Sequence, residues 1–439
     1  MTKTGTGVVV GVLLAGLLTT TGPTHAQGFA RPQALSSEQW EADLDAFLTV
    51  LLAEHDDPYF HTPQSDFDAA VGQYRGALPN LTRAQRIAGL AQIAALVGDG
   101  HTWMPMHALP FEGLPPGPGF RSLPVRFDIF HEGLFVVGAV DPDLVGARVA
   151  AFGNVAAEEA VARALTLLPT DAVNFAREML PEWLMQAELL AALGLSESPT
   201  LVRLSIEQDG REREIELTPL SIGTRYDWIY SYDGGPISGD SWTTAAQEAP
   251  LWRESFEGAY RAEQLDGAVY LQIIQIRDDD VSYADIAAVA VAMAEAMDSP
   301  ALVIDLRRCL GGDGTLNAGL MSALTESGAL METGRLAVLT SRQTHSAAVM
   351  LVSDLEQQTP ARFYGQATAD RPNHHGETNL FVTPNSQLPI IHASEYYQTS
   401  FEGDDRRFRS PDVAIPYRFS DYSSGTDPVL DAALSDFTE

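Results

Sequence analysis

The chain has 439 residues, of which 45% are hydrophobic and 20% charged, a composition typical of globular proteins and not of disordered or membrane-saturated ones. Lys and Arg number 27 against 59 Asp and Glu, which gives a formal net charge of −32. Because such a charge repels phosphate backbones, nucleic acid is excluded as a general partner. Lys3 is the only lysine, so the remaining Lys and Arg count consists of arginines.

Residues 1–26 have the pattern of a secretory signal peptide. Lys3 precedes an apolar run over 8–18, and a polar stretch then ends in Ala26, the predicted cleavage site. The run is shorter than the about 20 apolar residues that span a membrane. We therefore expect an exported protein, periplasmic or extracellular, without a membrane anchor after cleavage. The single cysteine, Cys309, excludes an internal disulfide.

Region 27–110 is predicted to be a helical domain. Ser36 has N-cap chemistry, and apolar residues then recur at helical spacing: Trp40, Leu44, Phe47, Leu48 and Leu51. A second helix is predicted from Asp66. A third follows a cap at Thr82 and ends at the glycines of 98–100. The Gly- and Pro-rich stretch after Phe111 indicates a loop and a domain boundary.

Region 111–220 is dominated by strand patterns. Short β-like runs at 134–137 and 147–152 precede a predicted helix over 156–168. Residues 201–217 alternate as a hairpin that turns at Asp209-Gly210. Residues 221–260 show no clear period and are predicted to be an irregular connection.

Strands and helices alternate in region 261–439. The predicted strands are 268–276, 302–306 and 336–340, and the predicted helices are 283–297, 316–324 and 346–356. This order is typical of an α/β sheet with right-handed crossovers, so the whole chain is predicted to be mixed α/β. Functional residues are expected where strands end and helices begin.

The first such junction is the segment 305–313, which contains Gly311-Gly312. Paired glycines after a strand allow a sharp turn and leave main-chain N–H groups free to bind an anion, either an oxyanion or a phosphate. A plain tight turn is the alternative. A P-loop is excluded because it needs a lysine that the region lacks.

The second junction places Ser346 at the start of a predicted helix. A serine there is exposed as a nucleophile beside free N–H groups, although serine is also the commonest helix N-cap. The adjacent His345 would point elsewhere if the helix has already begun. His101 lies in the glycine-containing segment 98–102, where the third predicted helix ends. It is either a general base or a structural histidine.

Together these segments resemble the S41 family of serine peptidases, the tail-specific, C-terminal-processing and tricorn-core group. The matching motifs, in order, are Gly-Asp-Gly-His-Thr at 98–102, the segment 305–313, Thr-His-Ser-Ala-Ala at 344–348, and the segments 363–368, 383–386, 411–413 and 425–430. They span 36–439. The resemblance implies a C-terminal core of the ClpP/crotonase type over 261–439. It also implies peptidase activity on a peptide or protein substrate without a cofactor.

Within this family, the absence of lysine after residue 3 decides how the serine is activated. A Ser-Lys dyad needs a lysine of lowered pKa, and arginine stays protonated. The chain therefore resembles the tricorn-like branch, which implies His101 as general base to the nucleophile Ser346. The resemblance also implies oxyanion donors on the main chain of Gly311, Gly312 and Ala347.

An acidic residue is expected to orient the histidine. In the family it precedes the Pro-Asp motif by about six positions, which points to Asp405, with Asp404 and Glu402 as alternatives. The competing interpretation is a solvated loop whose charge is neutralised by nearby arginines: Arg406, Arg407 and Arg409.

Two departures from the family pattern keep other functions open. Cys309 stands where the family usually has asparagine and is expected to pack as a small hydrophobe, with nothing to mark it as a nucleophile. The middle region lacks a recognisable carboxylate-binding loop, so any PDZ-like module there is expected to be degenerate. The alternatives are a non-catalytic binding protein of the same fold and a hydrolase of a non-peptide acyl substrate.

No metal is expected, because the histidines show no metal-ligand spacing. His374 and His375 are adjacent, and their side chains would diverge on a strand.

Overall fold

The computed structural model describes residues 34–106, 117–220, 242–246 and 248–438. The predicted signal peptide and a large part of the predicted irregular connection lie outside the described residues. The described helices and strands form a mixed α/β fold, which confirms the predicted fold class. None of the described helices has both the length and the apolar character that crossing a bilayer requires.

Three helices open the described part of the chain, as predicted: α1 (Ser37–Glu54), α2 (Gln64–Ala77) and α3 (Arg83–Ala95). Both α1 and α3 begin with a capping box, in which the hydroxyls of Ser36 and Thr82 accept from a main-chain N–H of the first turn. These caps fix where the helices start. The loop that follows α3 leads directly into the candidate site.

An antiparallel sheet occupies the middle of the chain. Its strands are β1 (Val125–Phe130), β2 (Gly133–Ala139), β3 (Arg148–Phe152), β4 (Val155–Ala156), β5 (Val202–Gln208), β6 (Arg211–Leu217) and β7 (Thr243–Thr244). The strand order is β1-β2-β3-β5-β6, with β4 on β3 and β7 on β2. The predicted hairpin is present: β5 and β6 pair along their whole length around Asp209-Gly210.

Three helices interrupt this sheet: α4 (Ala157–Leu165), α5 (Val173–Trp183) and α6 (Ala187–Ala192). The sequence predicted α4, but the expectation that strand patterns dominate up to residue 220 was wrong for α5 and α6. A proline, Pro181, lies inside α5 and argues against a helix at the level of local sequence. Tertiary burial of the apolar face of α5 overrides it.

The described residues from 248 onward contain ten strands. They are β8 (Tyr260–Gln264), β9 (Val269–Ile273), β10 (Leu302–Asp305), β11 (Leu336–Thr340), β12 (Arg362–Gly365), β13 (His374–Gly376), β14 (Asn379–Val382), β15 (Pro389–His392), β16 (Glu395–Tyr397) and β17 (Val413–Ala414). Six of them form one sheet in the order β17-β12-β11-β10-β9-β8. Neighbours in it are parallel except β8, which is antiparallel to β9. The pairs β13–β16 and β14–β15 form separate antiparallel ribbons.

Helices connect and cover this sheet: α7 (Tyr283–Glu295), α8 (Asn317–Glu326), α9 (Ala347–Gln358), α10 (Phe419–Ser424) and α11 (Pro428–Asp436). The first three lie close to the predicted positions, whereas α10 and α11 were not predicted. Successive strand residues point to opposite faces, so Val303 and Ile304 on β10 pack in two different cores. α7, α8 and α9 cover one face, and α11 covers the other. The strands are therefore buried on both faces, as parallel strands usually are.

One hydrophobic core joins the N-terminal helices to the antiparallel sheet. Its fully buried side chains include Phe47 of α1, Leu90 of α3, Val136 of β2 and Trp183 of α5. Ile390 of β15 also belongs to it, so the C-terminal half contributes to the same core. Each such aliphatic or aromatic side chain stabilises the fold by about 1.5–3 kcal/mol through its removal from water.

Candidate active site

Three loops meet at the carboxyl edge of the parallel sheet. They follow β10, β11 and β12 and contain Gly311, Ser346 and Asp370 respectively. The hydroxyl of Thr344 donates to the main-chain oxygen of Leu306 at 2.9 Å and ties the first two loops together. Because the strands are parallel, their carboxyl ends lie side by side, which brings together residues that are far apart in sequence.

Ser346 has an unusual main-chain conformation at the start of α9. Its φ is 57° and its ψ is −127°, a region that non-glycine residues rarely adopt. The side chain makes no capping hydrogen bond with α9, so it is not an ordinary N-cap. Strained conformations of this kind cost about 1–3 kcal/mol and cluster at functional sites, where they turn a side chain outward.

Gly311 lies directly against Ser346. A Cβ atom at Gly311 would come within 2.7 Å of the Ser346 Cβ and 3.0 Å of the Ala347 nitrogen, and its φ is +101°. At Gly312 the φ is +136°, and a Cβ would come within 2.0 Å of the Ile276 oxygen. Both positions therefore require glycine, for the turn and for the close approach to the serine.

The predicted oxyanion donors differ in their surroundings. Among the hydrogen bonds of the described residues, the amides of Gly312 and Ala347 have no protein acceptor. The Gly311 amide instead faces the sulfur of Cys309 and acts to lower the pKa of that thiol, against a dominant effect of burial that raises it to about 12. The amides of Gly312 and Ala347 are thus the ones left to bind an anion beside Ser346.

Cys309 is fully buried in the core between the parallel sheet and its covering helices. Burial keeps its thiol protonated at neutral pH, because the thiolate would lose its hydration. Its main-chain oxygen accepts from the His345 N–H at 3.0 Å. The residue therefore packs as a small hydrophobe and supports the loop that precedes Ser346.

His101 is held in the loop after α3 by Asp99. The main-chain N–H of His101 donates to one carboxylate oxygen of Asp99 at 2.9 Å, and the other lies 3.0 Å from Nε2 of His55. The His101 side chain is buried, and neither of its ring nitrogens makes a hydrogen bond of acceptable geometry with a described residue, although the main chain of His375 approaches the ring. Burial, together with the nearby imidazoles of His345 and His374, lowers its pKa well below 6.5. The imidazole is therefore neutral, the form that accepts a proton.

His345 stacks on His101, with ring centroids 4.5 Å apart, and its other face lies on Phe175 at 4.1 Å. Its Nε2 lies 3.1 Å from Oδ2 of Asp370, but the pair lacks hydrogen-bond geometry. Burial lowers the pKa of His345, and the Asp370 carboxylate opposes that effect. The neighbour of Ser346 in sequence thus turns toward His101.

Asp370 connects the serine to the two histidines. Its Oδ2 accepts from the main-chain N–H of Ser346 at 2.9 Å, and its Oδ1 has no partner. A Cβ on Gly100 would come within 2.3 Å of Oδ1, so only glycine fits before His101. Sequence reasoning missed Asp370. The signal that could have found it is its position shortly after β12, at the same sheet edge as the other two loops.

The predicted acidic residues lie in a loop rich in ion pairs. Asp404 is paired with Arg406, whose guanidinium lowers the pKa of that carboxyl to about 2. The side chains of Asp405 and Glu402 are exposed. Two further arginines of the loop pair elsewhere: Arg407 with Asp171, and Arg409 with Glu356. The structure brings Asp370, and none of these three acids, into the cluster formed by His101 and His345.

His374 and His375 diverge on β13. His374 stacks on His101, with ring centroids 5.6 Å apart, whereas His375 lies against His55 at 4.9 Å. The two side chains therefore point in different directions, as the strand period predicted. The contact from His374 limits the orientations that the His101 ring can take.

A buried arginine anchors the loop that carries Gly311. Arg307 bonds to Asp305 at the end of β10 and to Asp427, the N-cap of α11, at distances of 2.5–2.8 Å. Asp305 also accepts from the Tyr270 hydroxyl at 2.7 Å. The Asp-Leu-Arg segment of the sequence motif thus fixes the strand end from which the glycine turn departs.

Comparison with known proteins shows a shared fold. No family model matches the chain, and no curated protein matches it. The structure of mature CPAF complexed with lactacystin matches 90% of this chain and 98% of that chain, with a TM-score of 0.56 and 12% identity. A second structure of mature CPAF matches 90% and 97%, with a TM-score of 0.54 and 14% identity.

These neighbours are S41-family peptidases. The fold that the sequence motifs implied is therefore the fold that the described residues adopt. At 12% and 14% identity, the similarity to these structures shows a shared fold.

Proposed function

We propose that this chain is an exported serine peptidase of the S41 type, with Ser346 as the nucleophile and His101 as the general base. The observation that carries the proposal is the strained main chain of Ser346 against Gly311, with the amides of Gly312 and Ala347 free beside it. The fold shared with CPAF and the order of the sequence motifs support the same function. Export is proposed from the signal-peptide pattern of residues 1–26.

In the proposed mechanism, His101 takes the hydroxyl proton of Ser346 as the serine oxygen attacks the scissile carbonyl. The amides of Gly312 and Ala347 donate to the developing oxyanion. The protonated His101 then gives its proton to the leaving amine, and an acyl-enzyme forms on Ser346. A water molecule, deprotonated by His101, then attacks the acyl carbon. The ester bond to Ser346 breaks, the acid product leaves, and His101 returns the proton to the serine oxygen.

Asp370 is proposed to act as the orienting carboxylate, in preference to Asp405. Its anion accepts from the Ser346 N–H and lies near both imidazoles, so it favours the positive charge that His101 acquires. The exposed carboxylate of Asp405 has no such position. The ring of His101 makes no hydrogen bond of acceptable geometry among the described residues, so the proposed mechanism requires the Ser346–His101 hydrogen bond to form when substrate binds, as is common in catalytic sites.

Hydrolysis of a fluorescently labelled unstructured protein tests the proposal. The wild-type chain is expected to release labelled peptides and Ser346→Ala to lose this activity. Ser435→Ala, an exposed serine on α11, is the matched control and should behave as wild type. Wild-type activity in Ser346→Ala would overturn the assignment. Covalent labelling of Ser346 without proteolysis would instead favour a non-peptide acyl substrate.

A further inference from the structure

Side chains from three distant parts of the sequence converge on one point beside Ser346. His101, His345 and Asp370 each offer a ligand atom, and these atoms lie within 4.8 Å of one another. His101 comes from the loop after α3, His345 from the loop before α9 and Asp370 from the loop after β12. Because their separation in sequence is large, no metal-ligand spacing was visible in the sequence.

Four buried polar atoms of this cluster lack a hydrogen bond among the described residues. The three residues are 3%, 7% and 2% exposed in the order His101, His345 and Asp370. Both ring nitrogens of His101, Nε2 of His345 and Oδ1 of Asp370 make no hydrogen bond of acceptable geometry with any described residue. Main-chain groups of His375, Leu310 and Gly100 approach the two rings but do not meet that geometry. Buried polar atoms are nearly always satisfied, so several unsatisfied atoms within one small cluster indicate a site for a ligand.

The donor set selects the class of ligand. Two imidazole nitrogens and one carboxylate oxygen suit zinc, whereas calcium and magnesium prefer sets of oxygens. Zinc–ligand bonds of about 2.0–2.1 Å in a tetrahedron put ligand atoms about 3.3 Å apart. Nε2 of His345 and Oδ2 of Asp370 are already 3.1 Å apart. Because a metal binds in the plane of an imidazole, the His101 ring must turn out of its stack on His345 and His374 to fill a third position.

Neighbouring groups hold these ligands in place, as outer contacts do in metal sites. Phe175 packs on one face of the His345 ring, with ring centroids 4.1 Å apart. The Ser346 N–H fixes the carboxylate of Asp370. The main chain of His101 is fixed by Asp99.

We propose that His101, His345 and Asp370 form a zinc site that blocks the serine. The metal would occupy a lone pair of His101, and the same imidazole cannot then accept a proton from Ser346. This consequence for activity rests on the proposed function, whereas the binding itself does not. The fourth coordination position remains open to water.

Isothermal titration of the chelator-treated chain with zinc chloride tests the binding. Wild type is expected to take up one zinc per chain. His345→Ala removes a ligand and Asp370→Asn replaces a charged ligand with a neutral amide oxygen, so each should weaken that uptake by at least about 100-fold. His131→Ala is the matched control, because His131 is exposed and outside the cluster. Thermal unfolding of each variant shows that it is folded, and Asp370→Asn keeps the side-chain volume.

Absence of zinc uptake by wild type would overturn the site, as would equal affinity in His345→Ala and His131→Ala. Cobalt(II) provides a second readout, since tetrahedral coordination gives intense visible absorption that these variants should lack. Covalent labelling of Ser346 is then measured with zinc and with chelator. If the chain takes up zinc but Ser346 is labelled in neither condition, the proposed function is refuted and the zinc site is not. If zinc leaves the labelling of Ser346 unchanged, the proposal that zinc blocks the serine is refuted.

Discussion

Oδ2 of Asp370 accepts a hydrogen bond from the main-chain N–H of Ser346 at 2.9 Å. A buried carboxylate therefore lies directly beside the proposed nucleophile. The same oxygen lies 3.1 Å from Nε2 of His345. Asp370 thus fixes the main chain of the serine and supplies negative charge to the imidazole pair.

Replacing Asp370 tests its positioning role. Asp370→Asn retains an oxygen for the Ser346 N–H but loses the charge that favours a protonated His101. The rate of fluorophosphonate labelling, measured with chelator present, is expected to fall at least about 10-fold, and its pH profile is expected to shift. Asp298→Asn, an exposed carboxylate, is the control. Labelling of Asp370→Asn at the wild-type rate and pH profile would show that the carboxylate is merely structural.

Gly311→Ala is expected to displace Ser346. The new Cβ would lie 2.7 Å from the Ser346 Cβ at a φ of +101°, so labelling should be lost and the free energy of unfolding should fall by about 1–3 kcal/mol. Gly334→Ala is the matched control, with a φ of +80° and nothing within 4 Å of the added atom. It shares the backbone strain but not the clash, so it should retain labelling. Equal labelling in the two variants would contradict the close approach.

Arg307→Met is expected to destabilise the chain. It leaves the buried carboxylate of Asp305 and that of Asp427 without their cation, which costs about 3–5 kcal/mol of unfolding free energy. Arg362→Met breaks the more exposed pair with Asp436 and should cost at most about 1 kcal/mol. Urea denaturation compares the two. Similar losses in both variants would contradict a structural role for the buried network.

Stability is expected to fall as pH falls below 6.5. Burial lowers the pKa of His101, His345 and His375, the last to about 4. Below pH 6.5 the unfolded chain binds protons at these positions that the folded chain does not bind, so acid favours unfolding. Urea unfolding at pH 7.5, 6.5 and 5.5 measures this. His375→Ala should show a shallower decline, and a constant unfolding free energy in wild type would contradict the burial.

Much of the fold could be predicted from local sequence. The caps at Ser36 and Thr82 and the strand at 336–340 are local patterns, and the structure has them at the predicted positions. α5 was missed because its stability comes from burial of one face against the core, which a local pattern with an internal proline does not reveal. Tertiary contacts decide the secondary structure of such segments, overriding their local propensity.

Residues of the candidate site could be predicted from the sequence only where a single strand-to-helix junction contains a recognisable motif. Ser346 and the paired glycines each come shortly after a strand that the sequence predicts. Asp370 and the approach of His345 to His101 depend on three loops that meet at one sheet edge. Which acid reaches a histidine is a property of tertiary packing, and a count along the chain from a motif led to Asp405, which is exposed.

Covalent labelling with a fluorophosphonate, mapped by mass spectrometry, tests the central claim most directly. With chelator present, the wild-type chain is expected to carry the adduct on Ser346. Ser346→Ala and His101→Ala should carry none, while His345→Ala should retain most of it. Wild-type chain that stays unlabelled under conditions that label a control serine peptidase, or that is labelled on another residue, would contradict Ser346 as the nucleophile. Loss in His345→Ala with retention in His101→Ala would show that His345 is the base.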